Sequence, residues 1–181
     1  KRIDFDHFLI QQIRQQQKIT LLENAHIVTH TLTPNGYTLK DEKEDLSIHA
    51  QMLIVANGAH SRFAKETGGI TMDPNHHIAG IRAYYNNVKG LHEDGFIELH
   101  FLKNVLPGYF WIFPLPNGSA NVGLGMHSSI LHRQKINLKK LLLEIIETDP
   151  ILKNRFTGAT PQGGIDGYGL PLGSKRRKLY G

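Results

Sequence analysis

The chain has 181 residues, 40% hydrophobic and 20% charged, which fits one soluble globule or a domain and a piece of another. It has no cysteine, so disulfide frameworks, thiolate metal sites, iron–sulfur clusters and cysteine nucleophiles are excluded. Basic residues outnumber acidic ones 21 to 16, a net charge of +5 with histidine neutral. They are scattered except in Lys175-Arg176-Arg177-Lys178, which reads as a solvated hairpin turn, so nucleic acid is not an expected partner.

The opening reads as a helix, with Asp4 as its cap and Phe5, Phe8, Leu9 and Ile13 near one face. β signals follow at Ile19–Leu22, at Ala25–Leu32, at Tyr37–Lys40 after the Pro34-Asn35-Gly36 turn, and from Leu46 to Ala56. The expectation is a three-stranded antiparallel meander with the charged 41–45 stretch at a hairpin tip. Asn57-Gly58 breaks the pattern. A short helix from about Ser61 to Thr67 is closed by Gly68-Gly69, where a boundary is expected. Beyond it come longer strand patterns at Ile78–Val88, Phe96–Leu102, Tyr109–Leu115 and Ser119–His127. An amphipathic helix over Leu138–Ile146 follows, capped by Asn137 and stopped at Asp149-Pro150, with a shorter helix through Leu152. The Gly-rich stretch from Thr157 to Tyr168 reads as an edge strand.

The fold class is therefore α+β, an antiparallel sheet carrying helices and preceded by a meander. A meander needs a covering layer, so the chain reads as part of a longer protein. It lacks an initiating Met, a signal peptide and any apolar run near the roughly 18 residues of a membrane span. The expected location is the cytoplasm, with peripheral contact at a membrane surface.

Two segments carry chemical signals. Met52 to Arg62 is an apolar strand ending in Asn57-Gly58-Ala59, followed by a Ser-capped helix. Strand carboxyl ends are where α/β folds hold ligands, though the same residues also make an ordinary tight turn. Adjacent His60 and Ser61 form neither a nucleophile elbow nor a triad. The second segment alternates, so Tyr109, Trp111 and Phe113 fall on one strand face. With Asn117-Gly118 as a two-residue turn, Val122, Leu124 and Met126 would share that face. Gly123 and Gly125 would then lie beside Phe110 and Ile112, leaving room for a flat ring. An aromatic core strand covering glycines is the competing reading. The eleven histidines suggest no metal site, since His26 and His30 would stand roughly 13 Å apart on a strand and no H-E-x-x-H occurs.

Taken together, these segments resemble the geranylgeranyl reductase family of FAD-dependent oxidoreductases, within the p-hydroxybenzoate-hydroxylase-like flavoproteins. Arg2-Ile3-Asp4-Phe5-Asp6-His7-Phe8-Leu9 is similar to the family's R-x-x-F-D-x-x-L helix entry. Met52–Arg62 resembles its strand followed by A-D-G-A-x-S, with Asn57 in place of the acid. Tyr109–Pro114 matches the Y-x-W-x-F-P part of P-x-x-Y-x-W-x-F-P, where Leu106 stands for the leading Pro and Pro107 follows. Gly169–Gly173 resembles the run preceding G-D-A-A-G. The amino-terminal G-x-G-x-x-G and the G-D-A-A-G motif are not in this sequence.

The resemblance implies a reductase whose FAD, reduced by NAD(P)H or another donor, passes a hydride to a double bond of an apolar substrate, an isoprenoid. It makes residues 1–68 part of an FAD-binding domain and 69–181 the substrate-binding sheet domain. It places Asn57 and Gly58 near flavin, and Tyr109, Trp111 and Phe113 in the substrate cavity with Gly123 and Gly125 close by. No catalytic acid emerges, and the 181 residues alone are expected to be inactive and flavin-free. Two alternatives stay open: an FAD-dependent aromatic monooxygenase or halogenase, and a non-enzymatic small-molecule binding module.

Overall fold

A computed structural model describes residues 2–43 and 45–174, so the basic run at 175–178 lies outside the described residues. The chain divides into two compact units, 1–56 and 57–181.

The first unit opens with α1 (Arg2–Arg14), which starts at Arg2, leaving Asp4 inside its first turn and not at the cap. None of its residues is buried, and Phe5 and Phe8 stand open. Three antiparallel strands follow in chain order: β1 (Ile27–Thr33), β2 (Gly36–Asp41) and β3 (Ser47–Ala50). Thr33 faces Gly36 across the Pro34-Asn35 turn. Gly36 sits at φ +126°, and a Cβ there would fall 2.1 Å from the Ala50 carbonyl oxygen, so the meander crosses at a glycine. Ile19–Leu22 forms no strand. β3 also stops at Ala50, short of the expected Ala56. The physical reason is partner length: β2 begins at the turn, so its last pair is Tyr37 with Ala50, and nothing in it faces Met52–Ala56.

The second compact unit begins at Asn57, so the Gly68-Gly69 stretch where a boundary is expected falls inside it. α2 (Arg62–Gly68) belongs to it because Ser61 is buried and the His60 ring packs edge-on against Tyr168. The Ser61 hydroxyl accepts from the Ala64 N–H at 3.0 Å, and Gly69 closes the helix in the left-handed region. Among the described residues, a five-stranded sheet follows in the order β5-β6-β7-β4-β8, every pair antiparallel. Its strands are β4 (His77–Asn86), β5 (Glu98–His100), β6 (Tyr109–Pro114), β7 (Ala120–His127) and β8 (Thr160–Pro171). β5 is shorter than its Phe96–Leu102 pattern, because only Glu98–His100 has partners on β6.

Helices α3 (Ser128–Gln134), α4 (Leu138–Thr148) and α5 (Leu152–Phe156) supply the apolar cover for this sheet. Sequence periodicity did not reveal α3. The Asn137 side chain caps α4, accepting from the Lys140 N–H at 3.1 Å. Asp149 ends α4 and starts α5 by accepting from the Ile151 and Leu152 N–H groups. Phe110, Ile112, Val122, Leu124 and Leu142 are wholly buried in the resulting core. Each contributes about 1.5–3 kcal/mol by leaving water.

The β6–β7 hairpin has a register one residue away from expectation. Leu115 donates its N–H to the Ser119 carbonyl at 2.8 Å, so Pro116-Asn117-Gly118 make a three-residue loop. Asn117 and Gly118 both take positive φ. One extra loop residue exchanges every cross-strand partner. Gly123 therefore faces Trp111 and Gly125 faces Tyr109, while Val122 and Leu124 face Ile112 and Phe110. The aromatics and the glycines share one face; Val122, Leu124 and Met126 lie on the other, in the core.

Candidate functional site

The sheet of the second unit has a covered face and an open one. Ile81, Ala83, Phe110, Ile112, Val122 and Leu124 belong to the core under the helices. On the opposite side, Leu99 stands across from Trp111, Trp111 from Gly123, and Gly123 from Arg82. The neighbouring row runs Tyr109, Gly125, Gly80, Tyr168. Leu99, Tyr109, Tyr168 and Leu170 are exposed and Trp111 and Phe113 half-buried, so within the second unit no described element covers this apolar and aromatic face.

Trp111 organises the open face. Its indole lies flat over β7: a Cβ on Gly123 would fall 2.3 Å from the ring and 2.2 Å from the Ile81 carbonyl oxygen. Only glycine allows the strand and ring to approach this closely. The indole N–H donates to the Asn121 side-chain oxygen at 2.9 Å, fixing the ring plane. Phe113 stacks on it with centroids 5.9 Å apart, Tyr109 lies 6.0 Å away on the other side, and Phe101 extends the row from Tyr109. Arg82 brings charge to the same face, its guanidinium 5.8 Å from the centre of the Tyr84 ring and 3.9 Å from Asp166.

Behind this face, β5 is pinned by an ion pair. The Arg155 guanidinium on α5 grips both oxygens of Glu98 and also donates to the Lys89 and Gly90 carbonyls. His100 reaches the same carboxylate at 3.2 Å. Hydrogen bonds from Arg155 hold the Glu98 carboxyl below its ordinary pKa, against the opposing effect of partial burial. Tyr85, under the sheet, is pushed up by burial and, secondarily, by the charge of Glu147.

The other sequence-selected residues lie in the turn before α2. Asn57 and Gly58 are exposed, Gly58 at φ +89° with open space around its Cβ position. The Ser61 N–H donates to the Gly58 carbonyl at 3.2 Å, closing the turn. This leaves a small amide side chain and glycine backbone free to meet a polar ligand, although the phosphate-cradling glycine motif is not in the sequence. A depression of about 660 Å³ lies elsewhere, between Val88–Gly95 and the Pro114–Gly118 loop, and does not include Tyr109 or Trp111. Among the described residues no three metal-ligating side chains come together. Tyr168, Arg82, Gly80 and Asn121 were missed by sequence reasoning. The β6–β7 hairpin brings Asn121 to Trp111, whereas Tyr168, Arg82 and Gly80 reach the face only through the β4–β7 and β4–β8 pairings, which have no local signal.

Known proteins share sequence and fold with this chain. Residues 77–158, from β4 through α5, match the family model of the geranylgeranyl reductase catalytic domain. A digeranylgeranylglycerophospholipid reductase from Thermoplasma volcanium is 30% identical over 133 residues, covering 72% of this chain and 33% of its own length. A menaquinone reductase from Mycobacterium tuberculosis is 32% identical over 110 residues, covering 58% of this chain and 26% of its own. The chain thus spans about a third or less of the length of these relatives. Among solved structures, the flavin-dependent brominase Bmp2 superposes with a TM-score of 0.70 at 15% identity, over 92% of this chain and 42% of that one. A geranylgeranyl bacteriochlorophyll reductase-like protein from Thermoplasma acidophilum superposes with a TM-score of 0.57 at 24% identity, over 81% and 35%. At these identities the structural likeness is one of fold.

Proposed function

The chain belongs to the geranylgeranyl reductase-like, FAD-dependent flavoproteins, and from that premise we propose that it carries the substrate face of a reductase acting on an isoprenoid double bond. The observation that carries the reading is the open sheet face. An aromatic row held flat over glycines and left open within its own unit is a surface built to receive an apolar chain. The brominase likeness is one of fold, whereas the sequence relatives are named as reductases, so the halogenase reading has less support.

When bound, reduced FAD supplies a hydride, which is chemistry no side chain of this chain can provide. Trp111, anchored through Asn121, orients the apolar substrate; Tyr109 and Phe113 flank it and displace water. Gly123 and Gly125 keep the indole low, which leaves depth above it. Asn57 can donate or accept a hydrogen bond toward the flavin side but brings no charge there. Residues 1–68 form part of the FAD-binding region in this reading, and NAD(P)H is the proposed electron donor. Membrane association is supported by the exposed Ile97, Leu99 and Phe101 beside the substrate face. No helix among the described residues is long and apolar enough to cross a membrane.

The test uses the full-length, FAD-loaded protein. Trp111→Ala should raise the apparent substrate constant for isoprenoid-dependent flavin reoxidation by about tenfold. Flavin bleaching on addition of NADH or NADPH, measured separately, tests the donor. Unchanged reoxidation in a folded Trp111→Ala protein would sink the proposal.

A further inference from the structure

Resting on the reading above, we infer that Tyr168, with the His60 ring against its edge, determines chain-length specificity as the wall opposite Tyr109. The two tyrosines end one cross-strand row, Tyr109–Gly125–Gly80–Tyr168. The central positions are glycines, so no side chain rises between the two rings. Trp111 fills the low ground instead: its indole carbons come within 3.8 Å and 3.9 Å of where Cβ atoms on Gly125 and Gly80 would be. The result is a flat aromatic floor with a tyrosine at each end, three strand spacings apart, or roughly 14 Å.

Tyr168 has no core role. It sits on the edge strand β8, 56% exposed and outside the buried cluster. Its ring is nevertheless held. His60 meets it with centroids 5.0 Å apart at 78°, an edge-to-face contact. His60 is itself set by the closed Gly58–Ser61 turn and the Ser61 cap of α2. One contact therefore ties the Asn57–Gly58 turn to the same sheet face that carries the Tyr-Trp-Phe row. A large aromatic kept exposed yet oriented on an apolar face serves contact with a ligand. Only a chain long enough to cross the floor from Tyr109 reaches it.

The experiment measures dissociation constants of two isoprenoid alcohols for the full-length, FAD-loaded protein by equilibrium dialysis. The probes are geranylgeraniol and geraniol, whose chain is half as long. Tyr168→Ala should weaken geranylgeraniol about tenfold and geraniol less than about twofold, because the shorter chain does not span the floor. Tyr168→Phe should restore the long-chain affinity, since the ring and not the hydroxyl forms the wall. His60→Ala should fall between, at about threefold. Unchanged geranylgeraniol affinity in Tyr168→Ala, or equal losses for both alcohols, overturns the inference and leaves the substrate face in place. If the unsubstituted protein binds neither alcohol, the reading of the face itself fails, and the wall with it.

Discussion

The two sides of β6 live in different environments although both are apolar. Phe110 and Ile112 are wholly buried beneath helices α4 and α5, while Tyr109, one residue away, is 39% exposed on the open side. Hydrophobicity does not separate them, since Trp111 and Phe113 would bury as profitably as Phe110. What separates them is where the chain places its helices: α3, α4 and α5 supply cover to one side only, and β7 lends glycines to the other. The covered side is packed for stability. The open side, anchored by a single indole-to-amide hydrogen bond, is shaped to receive something.

Substitutions can break this contrast in graded steps. Phe110→Ala removes a fully buried ring touching Phe156 and should cost about 3–5 kcal/mol, read as a lowered denaturant midpoint at unchanged slope. Gly123→Ala pushes a methyl into both Trp111 and the Ile81 carbonyl and should cost about 3 kcal/mol. Fluorescence of Trp111, the only tryptophan, should shift in that variant as the indole lifts. A native-like spectrum and midpoint would show that the floor is not as tight as the geometry requires.

Glu98→Gln comes next, at about 2 kcal/mol, because it leaves the Arg155 guanidinium without its carboxylate partner. This effect has a pH signature. The Glu98 pKa is depressed by folding, so its contribution is fully present above the ordinary glutamate value of about 4.3 and is lost as pH falls through the depressed folded value. Unfolding curves between neutral and acidic pH should therefore converge for the native protein and Glu98→Gln. Parallel curves would contradict the pairing. Leu99→Ser, on the open side of the same strand and 45% exposed, should change stability by less than about 0.5 kcal/mol. A larger loss in thermal unfolding would mean that the open face is structural after all.

Much of the fold was legible from local pattern. The meander, the α4 stripe, the Ser61 and Asn137 caps and the alternation of Tyr109, Trp111 and Phe113 all appear as periodicity or capping chemistry. Other features were not, and three of them show why. α3 is a seven-residue helix whose Ile130 and Leu131 pack against the core, too short for periodicity to declare. The second half of the third strand reads as β from its apolar residues, but β2 has nothing to pair with it. The hairpin register turned on whether the loop held two residues or three, and Pro116-Asn117-Gly118 contains the signal for either.

By itself, the sequence determined that an aromatic strand and a glycine strand stand side by side, and that Asn57-Gly58 breaks an apolar run before a capped helix. Those are short-range facts of spacing, turn chemistry and side-chain shape. Tertiary structure alone decided that the glycines lie under Trp111 and not behind it, because one loop residue exchanges the faces of a whole strand. It alone brought Tyr168, Gly80 and Arg82 to that face through the pairing of β4 with β7 and β8, across separations that no local pattern spans.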